Sequence, residues 1–225
     1  FPMQPAIYLV PFIVIAVVLL IRAEILGKRR QVYVIKPTAT LLVIGVALLS
    51  LREPLRNPIY TWGVLVGLIL SLGGDVDLML KERPRAFTVG LVLFLLAHVA
   101  YTIVFALLGR VSAWDAVSIP LLTVAGIGFY TLIRGNLGSM RYPVIAYMII
   151  ISLMVSRAMS TLTSPLFWPG QAVMVAVGAV LFYLSDVILA ANRFWRPWKY
   201  DRISLAFYYA GQLLIALAAS YFSSP

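Results

Sequence analysis

Apolar runs of about twenty residues recur along this chain, and no other feature constrains its fold so strongly. The stretch TWGVLVGLILSLGGDVDLML is one of them. A helix rises 1.5 Å per residue, so about 20 apolar residues cross the hydrocarbon core of a bilayer. Eight such runs are predicted, at 5–21, 36–51, 59–80, 86–109, 114–133, 142–161, 170–192 and 203–222. The segments between them are too short to fold separately. With 62% hydrophobic and 12% charged residues, the chain lies far from a water-soluble domain, in which roughly a quarter of residues carry charge. The expected fold class is all-α, a single polytopic membrane bundle of eight transmembrane helices over residues 1–225. A helix pairs its own backbone polar groups, which lipid cannot do for it.

The basic residues test that count. With the N-terminus outside, the inner loops hold Arg22, Lys28, Arg29 and Arg30, then Lys81, Arg83 and Arg85, then Arg134 and Arg141, then Arg193, Arg196, Lys199 and Arg202. The outer loops hold Arg52, Arg56 and Arg110. Thirteen against three is the asymmetry of cytoplasmic loops beside anionic lipid, and it places both termini outside. The same asymmetry accounts for the net charge of +10 without a nucleic-acid partner. Trp62, Trp114, Trp168, Trp195 and Trp198 fall near span ends, as interfacial anchors do. The opening stretch FPMQPAIYLV has no basic run before its apolar residues and no clear small-residue cleavage site, so a retained first helix is expected. Compact loops and a lack of cysteine favour a bacterial cytoplasmic membrane, with the endoplasmic reticulum membrane as the alternative.

Against this apolar background, two spans carry an acid well inside their apolar run. Residues 71–80 read SLGGDVDLML and residues 183–192 read YLSDVILAAN. Asp75 and Asp186 fall near the inner ends of the third and seventh spans, at similar depth. A carboxyl there is costly in lipid and should face the bundle interior. Asp75 and Asp186 are 111 residues apart, and so are His98 and Tyr209, and Tyr101 and Gln212. Four helices separate each pair, which points to a parallel 4+4 pseudo-repeat about an axis along the membrane normal. Asp77 lies about 200° around the helix from Asp75 and cannot share its pocket.

Other polar groups can join the acids. Lys36 opens the second span, where it meets a phosphate or an acid, or else snorkels. His98 and Tyr101 share one face of the fourth span. Asn192, Tyr209 and Gln212 offer hydrogen bonds, for chemistry or as helix glue. Arg157 falls nearer the outer side, either reaching into a cavity or snorkelling outward. With no cysteine and one histidine, thiolate and multi-histidine metal sites are excluded, and a metal made of carboxylates alone is poorly supported.

In order, the chain carries LysProThr at 36–38, GlyAsp at 74–75, AlaHisxxxTyr at 97–101, ArgAla at 157–158, SerAspxxxAlaxAsn at 185–192 and TyrTyrxxGln at 208–212. From the second span to the last this resembles the YhhN-like family of lysoplasmalogenases, eight-helix integral membrane proteins. The resemblance implies hydrolysis of the vinyl ether bond of a lysoplasmalogen, a lysophospholipid substrate met among membrane lipids. It makes Asp75 and Asp186 the catalytic pair, with Lys36, His98, Tyr101, Arg157, Asn192, Tyr209 and Gln212 in supporting places. Asp77 and Gly211 depart from the usual pattern, which has an apolar residue and an alanine there.

A vinyl ether yields to acid. Protonation of the carbon remote from oxygen gives an oxocarbenium ion, water adds, and the hemiacetal collapses to aldehyde and alcohol. Two carboxyls in a poorly hydrated pocket can carry one proton between them, so that one serves as acid while the other stays ionised. The arrangement is analogous to paired carboxylates in glycoside hydrolysis, and it requires neither a metal nor an organic cofactor. Lys36 and Arg157 would hold the phosphate. The alternative is a proton-coupled transporter, which buried acids and a repeat also fit, although no matched pair of Gly/Pro-broken helices appears at mid-membrane.

Overall fold

A computed structural model describes residues 5–53, 57–80, 85–198 and 202–221. After a 3₁₀ turn at Pro5–Leu9 come α1 (Val10–Ile25), α2 (Arg29–Leu49), α3 (Pro58–Met79), α4 (Ala86–Leu108), α5 (Ala113–Ile133), α6 (Arg141–Ser160), α7 (Pro169–Phe194) and α8 (Ile203–Ala218). Seven of the helical segments are long and apolar enough to cross a membrane, and the protein is an integral membrane helix bundle. Arg56, Lys81, Arg83 and Lys199, four of the basic residues counted above, lie outside the described residues.

Two boundaries differ from expectation. The second helix begins at Arg29 rather than at 36, because Arg29, Arg30 and Gln31 are good helix formers that extend it toward the headgroups. Lys36 therefore sits two turns inside the helix and is buried. The eighth helix covers 16 residues, about 24 Å at 1.5 Å per residue, and stops well before 222. Its last turn tightens instead, with the Ala219 and Ser220 amides bonded to the carbonyls of Ala216 and Leu217, which satisfies helix-end acceptors three residues back.

Consecutive helices run antiparallel. Contacts pair 63 with 104 and 74 with 94 between α3 and α4, and Tyr147 with Asp186 between α6 and α7. The loops after α1, α3, α5 and α7 thus gather at one end of the bundle, the basic end. The tightest packing is α3 on α4 and α7 on α8. Lipid gives helices no hydrophobic reason to associate, so small residues that let backbones approach decide these contacts. A Cβ at Gly67 would fall 2.3 Å from the Tyr101 ring. A Cβ at Gly211 would fall 2.7 Å from the Gly178 carbonyl oxygen, and one at Gly178 would fall 2.9 Å from that of Gly211. Backbone cannot yield there, so a side chain at either position would push the two helices apart. These close contacts hold α4 and α8, and the side chains they carry, against the two acid-bearing helices.

Candidate active site

Asp75 lies one turn from the end of α3, at the basic end, and is 1% exposed. Its two oxygens are fully engaged. Oδ1 is 3.0 Å from Lys36 Nζ. Oδ2 accepts from the Thr40 hydroxyl at 2.7 Å and from the Tyr208 hydroxyl at 2.7 Å. Lys36 and Thr40 project from one face of α2 at i and i+4. The Tyr209 hydroxyl is 3.0 Å from the Lys36 carbonyl, to which it donates, and 3.2 Å from the Thr40 hydroxyl. An ammonium and two hydroxyl donors hold the Asp75 carboxyl in a fixed orientation.

Asp186 has a different environment. Its Oδ2 accepts from the Tyr147 hydroxyl at 2.5 Å and lies 3.6 Å from His98 Nε2. His98 is fully buried, with Nδ1 2.6 Å from the Phe94 carbonyl. A carbonyl only accepts, so Nδ1 carries the hydrogen, and a neutral ring presents the Nε2 lone pair toward Asp186. Nε2 has no hydrogen-bond partner of its own among the described residues, so a proton on Asp186 has a basic nitrogen next to it. The Tyr147 ring stands edge-on to His98 with centroids 5.2 Å apart, fixing both rings.

No hydrogen bond joins the two carboxyls among the described residues; Asp75 is held instead by Lys36, Thr40 and Tyr208. The groups around the two acids meet at an aromatic wall. Phe182 is 4.6 Å from His98 and 5.2 Å from Tyr208, centroid to centroid, and Phe94 is 5.8 Å from Tyr208. Two cavities lie near the pair. An apolar cleft between α4, α6 and α7 contains about 710 Å³ of empty space, its mouth included, with Phe87, Leu91, Met148 and Val187 among its lining and Tyr147, Tyr183 and Asp186 as its polar groups. A polar pocket at the basic end is lined by Lys36 and its neighbours. Leu78 lines both cavities.

Sequence reasoning missed Thr40, Tyr147 and Tyr208 as partners of the acids. Tyr147 was within reach. It stands 111 residues after Lys36, the same offset that relates the acids, and Tyr147 contacts Asp186 as Lys36 contacts Asp75. Each acid also reaches into the other half, Asp75 to α8 and Asp186 to α4, as a two-fold relation between halves produces.

Other predicted residues fall around the pair or away from it. Tyr101 is fully buried, its ring stacked on Phe105 with centroids 6.2 Å apart. Gln212 is fully buried and neither end of its amide has a hydrogen-bond partner among the described residues. Asn192 lies beyond the acids, where its Oδ1 accepts from the Trp198 amide at 2.8 Å and ties down the chain after α7. Arg157 is not brought to the pair. It ion-pairs with Asp115 at the opposite end of the bundle, where Asp115 also caps α5 by accepting from the Ser112 amide at 2.8 Å and receives the Ser160 hydroxyl at 2.7 Å. Asp77 is half-buried on another face of α3.

With this geometry in place, comparison with known proteins adds the following. The sequence pattern of the YhhN family matches residues 31–219. The Bos taurus protein named lysoplasmalogenase TMEM86A is 31% identical over 158 residues, 69% of this chain and 64% of the relative. Lysoplasmalogenase TMEM86B of Rattus norvegicus is 32% identical over 162 residues, 71% of this chain and 62% of the relative. The chain thus spans less than two thirds of the length of these two proteins. A protein of Escherichia coli O157:H7 named uncharacterized membrane protein YhhN is 30% identical over 191 residues, 84% of this chain and 87% of the relative. No solved structure gives a significant match.

Proposed function

The chain belongs to the YhhN family, and from that premise we propose that it is a lysoplasmalogenase in which Asp186 is the acid that protonates the vinyl ether. The observation that carries this reading is the Asp186 carboxyl set in the wall of an apolar cleft, 3.6 Å from His98 Nε2, which has no hydrogen-bond partner among the described residues. The alkenyl chain lies in the cleft. The phosphate lies in the polar pocket against Lys36, and the ether oxygen sits near Leu78, which lines both cavities.

In the first step the π electrons of the double bond take the proton of Asp186 onto the carbon remote from oxygen. An oxygen lone pair fills in behind, giving the oxocarbenium ion. The Asp186 carboxylate just formed and the fixed Asp75 anion stabilise this cation in a poorly hydrated setting, where such charges act strongly. Water then adds to the cationic carbon and returns a proton to Asp186. In the hemiacetal, Asp186 gives this proton to the glycerol oxygen as the carbon–oxygen bond breaks, and the hemiacetal hydroxyl proton returns to Asp186 by way of His98 Nε2. The products are a fatty aldehyde and glycerophosphoethanolamine or glycerophosphocholine, with one water consumed and Asp186 protonated as at the start. Tyr147 orients the carboxyl. Lys36 holds Asp75 with one donor and offers others to the phosphate.

The reading is tested with purified protein in detergent, a vinyl ether lysolipid and its saturated ether twin. Aldehyde is expected from the unsaturated lipid alone, since an alkyl ether has no π bond to protonate. Cleavage of both lipids at similar rates, or uptake into sealed vesicles without cleavage, would overturn it.

A further inference from the structure

Glu24 lies in the polar pocket and has no part in the chemistry above. The pocket is formed where α1 turns into α2 at Gly27 and where the chain enters α8, and it contains about 780 Å³ of empty space, its mouth included. Among the described residues three cations line it, Arg29, Lys36 and Arg202, with Glu24 as the single acid. Arg202 Nε stands 3.6 Å from Glu24 Oε2, a loose pair that a ligand carrying both charges can open. A phosphate takes the Arg202 side of such a pair, and a cation takes the carboxylate. Among the described residues the lining holds one aromatic, Tyr33, whose hydroxyl is committed to the Met79 carbonyl at 3.0 Å. A quaternary ammonium is recognised by a cage of several aromatic faces, which the described lining does not provide. A primary ammonium instead has three donors for a carboxylate.

We propose that this pocket is the headgroup site, that Glu24 receives a primary ammonium while Arg202 and Lys36 hold the phosphate, and that the protein therefore selects ethanolamine over choline headgroups. The inference rests on the lysolipid reading of the neighbouring cleft. Chain and headgroup then lie on either side of Leu78, and one amphipathic molecule fills both cavities.

The test compares three vinyl ether lysolipids, with ethanolamine, choline or a bare phosphate as headgroup. The ethanolamine lipid is expected to have the lowest KM. Glu24→Gln is expected to raise that KM about tenfold, the worth of one charge-assisted hydrogen bond, while the KM for the bare phosphate lipid does not rise, because Arg202 loses its competing acid. Glu24→Asp, which keeps the charge, restores part of the preference. Equal KM values for the three lipids, or an ethanolamine KM that Glu24→Gln leaves alone, overturn the inference while the hydrolysis itself stands. Calorimetric binding of glycerophosphoethanolamine, lost in Glu24→Gln, would support the headgroup site even if no lipid were cleaved.

Discussion

Asp186→Asn is expected to reduce aldehyde release by about 10²–10⁴-fold, the usual worth of a positioned general acid. The substitution preserves shape. The amide oxygen still accepts from Tyr147, whose hydroxyl lies 2.5 Å from the native carboxyl, so the cleft should keep its form. What the amide lacks is a proton that it can give to carbon and take back. Protonation of the vinyl carbon is the slow step, so the loss should fall on kcat rather than KM. The melting temperature in detergent should stay near that of the wild type. Near-normal turnover by a well-folded Asp186→Asn protein would move the acid elsewhere.

Asp75→Asn is expected to reduce both turnover and stability. Asp75 is the counter-ion of Lys36, with the two side chains 1% and 11% exposed. Removing one partner of a buried ion pair leaves the other charge uncompensated, at a cost of about 3–5 kcal/mol. Thermal unfolding in detergent would register this as a large fall in melting temperature. Asp75→Asn combined with Lys36→Met removes both charges, so most of the stability should return while turnover remains low. The cation-stabilising anion is still missing, and so is the phosphate donor. A single Asp75→Asn variant that melted with the wild type would mean that Lys36 reaches water by itself.

The helices were legible because apolar runs of membrane length have few alternative folds. Their ends were less legible. Whether Arg29 and Arg30 belong to a loop or to a first helical turn depends on headgroup contacts that hydropathy does not record, and this moved Lys36 from the mouth of a helix to its interior. The acids stood out because a carboxyl in lipid is costly, and Lys36 and His98 stood out for similar reasons. Partners that are common in spans did not. Thr40, Tyr147 and Tyr208 read as ordinary helix residues until the rotation of each helix places their hydroxyls on a carboxylate. That rotation also separates the two acids into distinct hydrogen-bond sets, which sequence spacing cannot express. Arg157 and Asn192 were singled out for polarity alone, and their polarity serves a buried ion pair with Asp115 and a tie to the Trp198 amide.

Isotope labelling tests the central claim, acid attack on the vinyl carbon, most directly. Purified protein turns over a vinyl ether lysolipid in deuterium oxide enriched in oxygen-18, and both products are analysed by mass spectrometry. The expected result is one deuterium at C2 of the aldehyde and no oxygen-18 in the glycerophospho product, whose ether oxygen is retained. An aldehyde without deuterium, or oxygen-18 in the glycerophospho product, would contradict the account.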